Sequence, residues 1–110
     1  MAESKLDALK EALVHREAEI FSYQVNIDNY VAMIATLPSE WPEELIEHKG
    51  SDIRTVIPSM EDEEKMTLTA DLIFHDSLII TLMTERLEQR KAMLIRDVMA
   101  EQIASLEEST

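Results

Sequence analysis

Three histidines could take part in metal binding or proton transfer, because each one has a carboxylate four residues away. The pairs are His15 with Glu11 and Glu19, His48 with Glu44, and His75 with Asp71. Residues four apart share a helix face, so a divalent cation could bridge each pair. However, 23 acids in 110 residues produce such pairs by chance, and no histidine is followed by another four residues later. The spacing therefore predicts no metal site, and His75, near an apolar stripe, is expected at a helix interface.

Glutamates spaced three residues apart form the second candidate site. They are Glu40 with Glu43, Glu44 with Glu47, and Glu61 with Glu64. Small all-α nucleotide pyrophosphohydrolases hold magnesium with such acids and with a Glu-x-x-Asp pair on a later helix. No glutamate in this chain is followed three residues later by aspartate. A magnesium-dependent pyrophosphohydrolase therefore stays an alternative for which the sequence contains the glutamate pairs but not the Glu-x-x-Asp pair.

Other catalytic arrangements lack residues that they require. The chain has no cysteine for a thiolate nucleophile, and its single glycine, Gly50, cannot build a glycine-rich phosphate-binding loop. No serine lies in a sequence that resembles a nucleophile elbow. The sequence therefore predicts a protein that is not an enzyme and that has no catalytic residue and no cofactor.

Charge disfavours nucleic acid as a direct partner. The formal net charge is −13, and residues 38–64 hold nine acids and two bases, which is more than half of the excess. The last third of the chain has the one local group of bases, which is Arg86, Arg90, Lys91 and Arg96. Glu85 and Glu88 lie close to these bases, so we expect a solvated, ion-paired helix face there.

The location expected from composition is the cytoplasm. The absence of cysteine is compatible with a reducing compartment, and the acidic first residues lack the basic and apolar run of an export signal. The longest nearly apolar run, residues 78–83, is far shorter than the roughly 20 residues of a membrane span. We therefore expect no membrane contact.

Helix breakers divide the chain into three parts. Pro38, Pro42, Gly50 and Pro58 are the only prolines and glycine, and they fall within about twenty residues. This layout predicts one all-α domain over residues 1–110, with helices over about 4–37 and 59–107. We expect a long antiparallel helical hairpin, similar to a coiled coil, whose tip at about 38–58 contains a short helix. Ser59 is the predicted N-cap of the last helix.

Apolar residues of the first helix recur with a period of seven. The two positions of this seam are Leu6, Leu13, Ile20, Ile27 and Ile34, and Leu9, Arg16, Tyr23, Tyr30 and Leu37. Five heptads in one phase predict a packed helix. A second, weaker stripe consists of Val14, Ala18, Phe21, Val25 and Ala32. A helix with two apolar faces is expected to have two neighbours.

The last helix also has a broad apolar stripe, and it is the longer of the two. The stripe comprises Leu72, Ile73, Ile79, Ile80, Met83, Leu87, Leu94 and Val98, widened by Leu68 and Leu82. A hairpin that turns within residues 38–58 places Leu6 near Arg96, so residues 99–106 have no partner within the chain. We therefore expect a homodimer, with an interface of Phe21, Val25, Leu94, Val98, Met99, Ile103 and Leu106.

Two kinds of protein fit these expectations. The first is a helical protein interaction module that acts as an adaptor, scaffold or inhibitor of another protein. The second is an acidic inhibitor, of the type encoded by phages, whose carboxylates imitate nucleic-acid phosphates and block a DNA- or RNA-binding host protein. For either kind, the predicted contact residues in the tip are Trp41, Glu43, Glu44 and Glu47.

Overall fold

The computed structural model describes the backbone of residues 2–109 and the side chains of residues 4–109. The first long helix, α1, spans Ala2–Ala35, and the last, α3, spans Glu63–Glu108. Between them lie a 3-10 helix at Glu43–His48, the short helix α2 at Ile53–Val56, and a second 3-10 helix at Ile57–Ser59. No strand occurs among these described residues, so the all-α prediction is confirmed.

Internal contacts divide the chain into two units of similar size. The terminal unit joins Met1–Asp28 to Thr84–Thr110, and the central unit is Asn29–Met83. The terminal unit therefore consists of one long segment of α1 and one of α3. The central unit contains all of the segment that connects them, residues 36–62. Each unit is described separately below.

In the terminal unit, α1 and α3 run antiparallel, which fits the predicted helical hairpin. Lys10 Nζ near the start of α1 lies 3.1 Å from Glu107 Oε1 near the end of α3. Further along, Gln89 Nε2 donates hydrogen bonds to the Ile20 carbonyl oxygen at 3.3 Å and to Gln24 Oε1 at 3.0 Å. As the residue number increases along α1, the number of the contacting residue on α3 decreases.

The predicted register of this pair is wrong. Arg96 lies beside Glu17, at 4.0 Å, and not beside Leu6. As a result, Ile103 is buried with 9% exposure, and Met99 and Leu106 are half-buried, all within their own chain. The prediction assumed that α3 pairs with α1 from its first turn. In the central unit, however, the first turns of α3 lie beside the connecting segment, where Lys65 Nζ is 3.2 Å from Glu44 Oε2.

Burial along α1 follows the predicted seven-residue seam. Each described residue of α1 that is not exposed belongs to it, namely Leu6, Leu9, Leu13, Arg16, Ile20, Tyr23, Ile27, Tyr30 and Ile34. Ile20 and Ile27 are the most deeply buried. The second stripe, in contrast, is exposed throughout. In the described chain this stripe therefore has no neighbour.

The central unit has its own small apolar core. Leu72 of α3 is fully buried, and Leu45 and Val56 of the connecting segment are also buried. These burials anchor the connecting segment, whereas Ile46 and Ile53 in the same segment are exposed. Gly50 has a φ of 86°, a left-handed conformation that glycine adopts without strain just after a helix end.

The N-cap of α3 is Asp62, which corrects the prediction of Ser59. Asp62 Oδ1 accepts a hydrogen bond from the Glu64 backbone N–H at 2.9 Å. The hydroxyl of Ser59 instead donates to the Val56 carbonyl oxygen at 2.7 Å, inside the second 3-10 helix. Because that helix occupies residues 57–59, α3 begins four residues later than predicted.

Among the described residues, one helix, α3, contains an 18-residue window that is long and apolar enough to cross a membrane. The expectation of no membrane contact rested on the shorter unbroken apolar run at residues 78–83. Length and composition alone also describe a long helix at a protein interface. They therefore do not assign a location to this chain.

Candidate protein interaction surfaces

The predicted contact residues of the tip lie on and just before the first 3-10 helix. Glu43, Glu44 and Glu47 are exposed, whereas Trp41 is half-buried. Because residues three apart are eclipsed in a 3-10 helix, Glu44 and Glu47 project from the same side. The buried side chain of Leu45 anchors the helix between them. The tip therefore presents a row of carboxylates on an anchored turn.

The three glutamates of the tip differ in their partners. Glu44 forms the ion pair with Lys65, and Glu47 Oε1 lies 3.6 Å from His48 Nε2. No ion pair of Glu43 is found in the described part of the chain, and this residue lines an open groove with Pro42 and Glu44. The indole nitrogen Nε1 of Trp41 is buried without a hydrogen-bond partner among residues 4–109. Glu43 is thus the tip carboxylate most available to another molecule.

The histidines do not meet the carboxylates that their spacing suggested. His15 is exposed, and His48 lies beside Glu47, the preceding residue. His75 is buried, with Nδ1 3.4 Å from Asp76 Oδ1. In residues 4–109, no three side chains of His, Cys, Asp or Glu are grouped so that they could hold a metal ion.

The outer surface of α1 in the terminal unit is apolar and unpartnered. Phe21 is 70% exposed, and Val14, Ala18 and Val25 on the same side are also exposed. We call this surface the α1 outer face. It is the second stripe that the sequence predicted.

The outer surface of α3 in the terminal unit is the second unpartnered apolar surface. Leu87, Leu94 and Val98 are all more than half exposed. They lie seven and four residues apart and therefore share one side of the helix. We call this surface the α3 outer face. The sequence placed Leu94 and Val98 in the expected dimer interface, and because they are exposed in the single chain, that assignment stays a prediction.

The buried side of α3 in the terminal unit is more polar than the sequence suggested. It consists of Glu85, Gln89, Ala92, Arg96, Met99, Ile103 and Leu106, with Glu88 and Met93 at its edges. These seven positions alternate steps of four and three, which is the heptad signal. Met99, Ile103 and Leu106 show this spacing as apolar residues, whereas the polar residues at the earlier positions interrupt it.

Polar contacts at this seam link α3 to α1. Asn26 Nδ2 donates to Glu85 Oε2 at 3.4 Å, next to the two hydrogen bonds that Gln89 donates. Burial raises the pKa of the Tyr23 hydroxyl, and the nearby carboxylates of Glu19, Glu88 and Glu85 raise this pKa further. Tyr23 is therefore kept as a neutral hydroxyl within a seam that has negative charge at its edges.

The central unit has exposed apolar residues of its own. On α3 they are Phe74, Ile79, Ile80 and Met83, and elsewhere Val31, Met33, Ile46 and Ile53. Such scattered exposure on its own is ordinary in soluble proteins. Ile80 and Met83, however, precede Leu87 by seven and four residues and thus keep the spacing of the α3 outer face.

Comparison with protein-family models, curated proteins and solved structures finds no match for this chain. No activity can therefore be transferred from a relative. The exposed surfaces described above are the basis on which a function can be proposed.

Proposed function

We propose that this protein is a non-enzymatic helical interaction module, located in the cytoplasm, that acts as an adaptor, scaffold or inhibitor. It contacts a second copy of itself and another protein. The observation that carries this proposal is the pair of unpartnered apolar faces in the terminal unit. Exposed apolar residues that share one side of a helix are a feature of protein interaction surfaces.

The structure reduces the number of residues available for the expected dimer interface. Met99, Ile103 and Leu106 were included because they had no partner in the predicted register, but their own chain covers them at least in part. Phe21, Val25, Leu94 and Val98 stay as candidates because all four are exposed. They belong to the two outer faces.

The tip is the proposed contact with the other protein. Its carboxylates suit a basic surface, and the central unit that contains it has 11 acids and 3 bases. This excess also favours the second candidate, an inhibitor whose acids take the place of nucleic-acid phosphates in a basic groove. Both candidates involve Trp41, Glu43, Glu44 and Glu47.

Affinity capture from a lysate of the source cells tests this proposal. A variant with Glu43→Gln and Glu47→Gln removes two tip charges without breaking the Glu44 ion pair. The matched control carries Glu11→Gln and Glu108→Gln, which makes the same change in net charge at two exposed sites in the terminal unit.

If the tip is the contact, the tip variant loses the captured protein while the control retains it. The difference in capture between the unmodified chain and the tip variant should be larger at low salt, because added salt screens exposed ion pairs. Identification of the captured protein as a DNA- or RNA-binding protein, released by added nucleic acid, would favour phosphate mimicry. Equal capture by both variants would remove the tip from the proposal.

A further inference from the structure

We infer that two copies of this chain pair through their α3 outer faces, antiparallel to each other, about a two-fold axis between Leu94 and Val98. This inference rests on the proposed self-association and adds to it the surface and the direction of pairing. It differs from the interface expected from the sequence, since it assigns no role in self-association to Phe21 or Val25.

The geometry of α3 in the terminal unit leaves this surface free. At 100° per residue, Leu87 and Val98 are rotated by only about 20° and 40° from Leu94. Ala92 and Ile103, which are buried, lie about 160° and 180° away on the same basis. The side chains that face α1 and those that form the α3 outer face are thus on opposite sides of one helix.

Charges around this surface are segregated along the helix. Arg90 and Lys91 precede Leu94, whereas Asp97 and Glu101 follow it, and all four are exposed. A parallel pairing of two identical helices in register would place like charges together. An antiparallel pairing places the bases of one copy beside the acids of the other, which favours association and fixes its direction.

Two of these charges have no ion pair within the described residues. They are Arg90 and Glu101, whereas Lys91 Nζ lies 3.2 Å from Glu88 Oε1 and Asp97 Oδ1 lies 3.1 Å from Arg96 Nη2. In the antiparallel register, Lys91 faces Glu101 of the second copy. Leu94 then faces Val98 of the second copy, so four aliphatic side chains meet at the axis.

The α1 outer face is less suited to self-pairing. At helical spacing around Phe21 lie the acids Asp7, Glu17 and Asp28. The one base on that side, Lys10, already forms the ion pair with Glu107. Two copies of this face would bring carboxylates together, which is unfavourable.

Charge reversal followed by charge exchange tests the pairing. Lys91→Glu and Glu101→Lys each place like charges opposite one another, twice in a two-fold dimer, and should each weaken dimerisation about tenfold. The double variant with both substitutions restores opposite charges and should return the dissociation constant to within about threefold of the original. Sedimentation velocity over a range of concentrations measures all of these constants.

Controls keep the test specific. Lys49→Glu and Glu11→Lys make the same charge changes at exposed positions outside the α3 outer face and should leave dimerisation unchanged. Leu94→Asp should give a monomer whose far-ultraviolet circular dichroism matches the original, because this side chain is 60% exposed in the single chain. Phe21→Asp should remain dimeric.

Several results would overturn the inference. The first is that the original protein is monomeric at 100 µM or above. The second is that the charge-exchanged double variant dimerises as weakly as the single variants. The third is that Phe21→Asp dissociates the dimer whereas Leu94→Asp does not. Flotation of the protein with neutral phosphatidylcholine vesicles, abolished by Leu94→Asp, would assign the face to a membrane. A monomer that still captures its protein partner through the tip would leave the proposed interaction function standing.

Discussion

The terminal and central units have 55 residues each but are stabilised in different ways. The terminal unit has 12 acids and 7 bases, and its seam includes polar residues such as Gln89 and Arg96. The central unit has 11 acids and 3 bases and buries apolar residues such as Leu72, Leu45 and Val56. On α3, the terminal unit exposes Leu87, Leu94 and Val98, whereas its buried aliphatic residues, such as Ile20 and Ile27, lie mostly on α1. This contrast is consistent with our proposal that the terminal unit takes part in association.

The largest expected effect is loss of folding on Ile20→Asp in the terminal unit. Ile20 is 8% exposed at the seam, and an unpaired charge there should cost about 4 kcal/mol of unfolding free energy. Urea denaturation followed by circular dichroism measures the change. The neighbouring Phe21→Asp, at an exposed site, is the control and should retain the helical signal. A folded Ile20→Asp variant would contradict the assignment of the seam.

The next largest effect is expected in the central unit on Leu72→Ala. Leu72 is fully buried, so its truncation should lower the free energy of unfolding by about 3 kcal/mol through lost burial and a cavity. Leu94→Ala, a matched change at an exposed leucine of the same helix, should change the stability of the monomer by less than about 0.5 kcal/mol. Equal losses from both variants would remove the contrast between the buried and outer sides of α3.

An intermediate effect is expected on Gln89→Glu at the seam of the terminal unit. This change keeps the shape of the side chain but removes the N–H donors that bind the Ile20 carbonyl oxygen and Gln24. It also places a carboxylate beside two acceptors. We expect a loss of about 2 kcal/mol in the free energy of unfolding. Gln102→Glu, at an exposed position of the same helix, is the control and should have little effect.

The smallest effect is expected at Asp52 in the central unit. Hydrogen bonds from the side chain and the backbone N–H of Arg54 lower the pKa of Asp52 below its model-peptide value of 3.8. Because the folded pKa is the lower one, this contribution to stability is present above pH 3.8 and is lost as the pH falls through the folded value. The Asp52→Ala variant should therefore have a slightly lower melting temperature than the original protein at pH 7.

The acid dependence of that difference provides the check. The difference in melting temperature between Asp52→Ala and the original should close as the pH falls from 3.8 through the folded pKa of Asp52, because both proteins then lack the charged cap. Glu40→Gln, at an exposed acid for which the structure shows no ion pair in residues 4–109, should show no such closure. A difference that is constant from pH 7 to pH 2 would mean that the carboxylate charge does not contribute.

The seam of α1 could be predicted from sequence because its residues are apolar and keep one phase over five heptads. The seam of α3 in the terminal unit could be predicted only in part. Met99, Ile103 and Leu106 are apolar at the expected spacing, but Glu85, Gln89 and Arg96 occupy the earlier seam positions while leucines face outward. Apolar spacing alone therefore favours the outer side of the helix there. Burial of these polar residues depends on partners across the helix pair, such as Gln24 and Glu17, which no local pattern contains.

The register and the start of α3 were also beyond local reasoning. Ser59 and Asp62 are both good capping residues, and the choice between them depends on the 3-10 helix that uses the Ser59 hydroxyl. The register of α1 and α3 in turn depends on how many turns of α3 pack beside the connecting segment. For the tip, composition identified exposed carboxylates correctly. It could not distinguish Glu44, which is paired with Lys65, from Glu43, which has no ion pair within residues 4–109.

The placement of the α1 outer face has a consequence for how tightly a target could be held. In the dimer that we propose, Phe21 of each copy stays exposed, so the pair would offer two identical apolar positions in addition to its two tips. A bivalent arrangement of this kind turns the second contact into an intramolecular event, and avidity can then exceed the strength of a single contact by a factor of roughly 100 or more. A target that displays two copies of one weak epitope would be retained, and one that displays a single copy would be released.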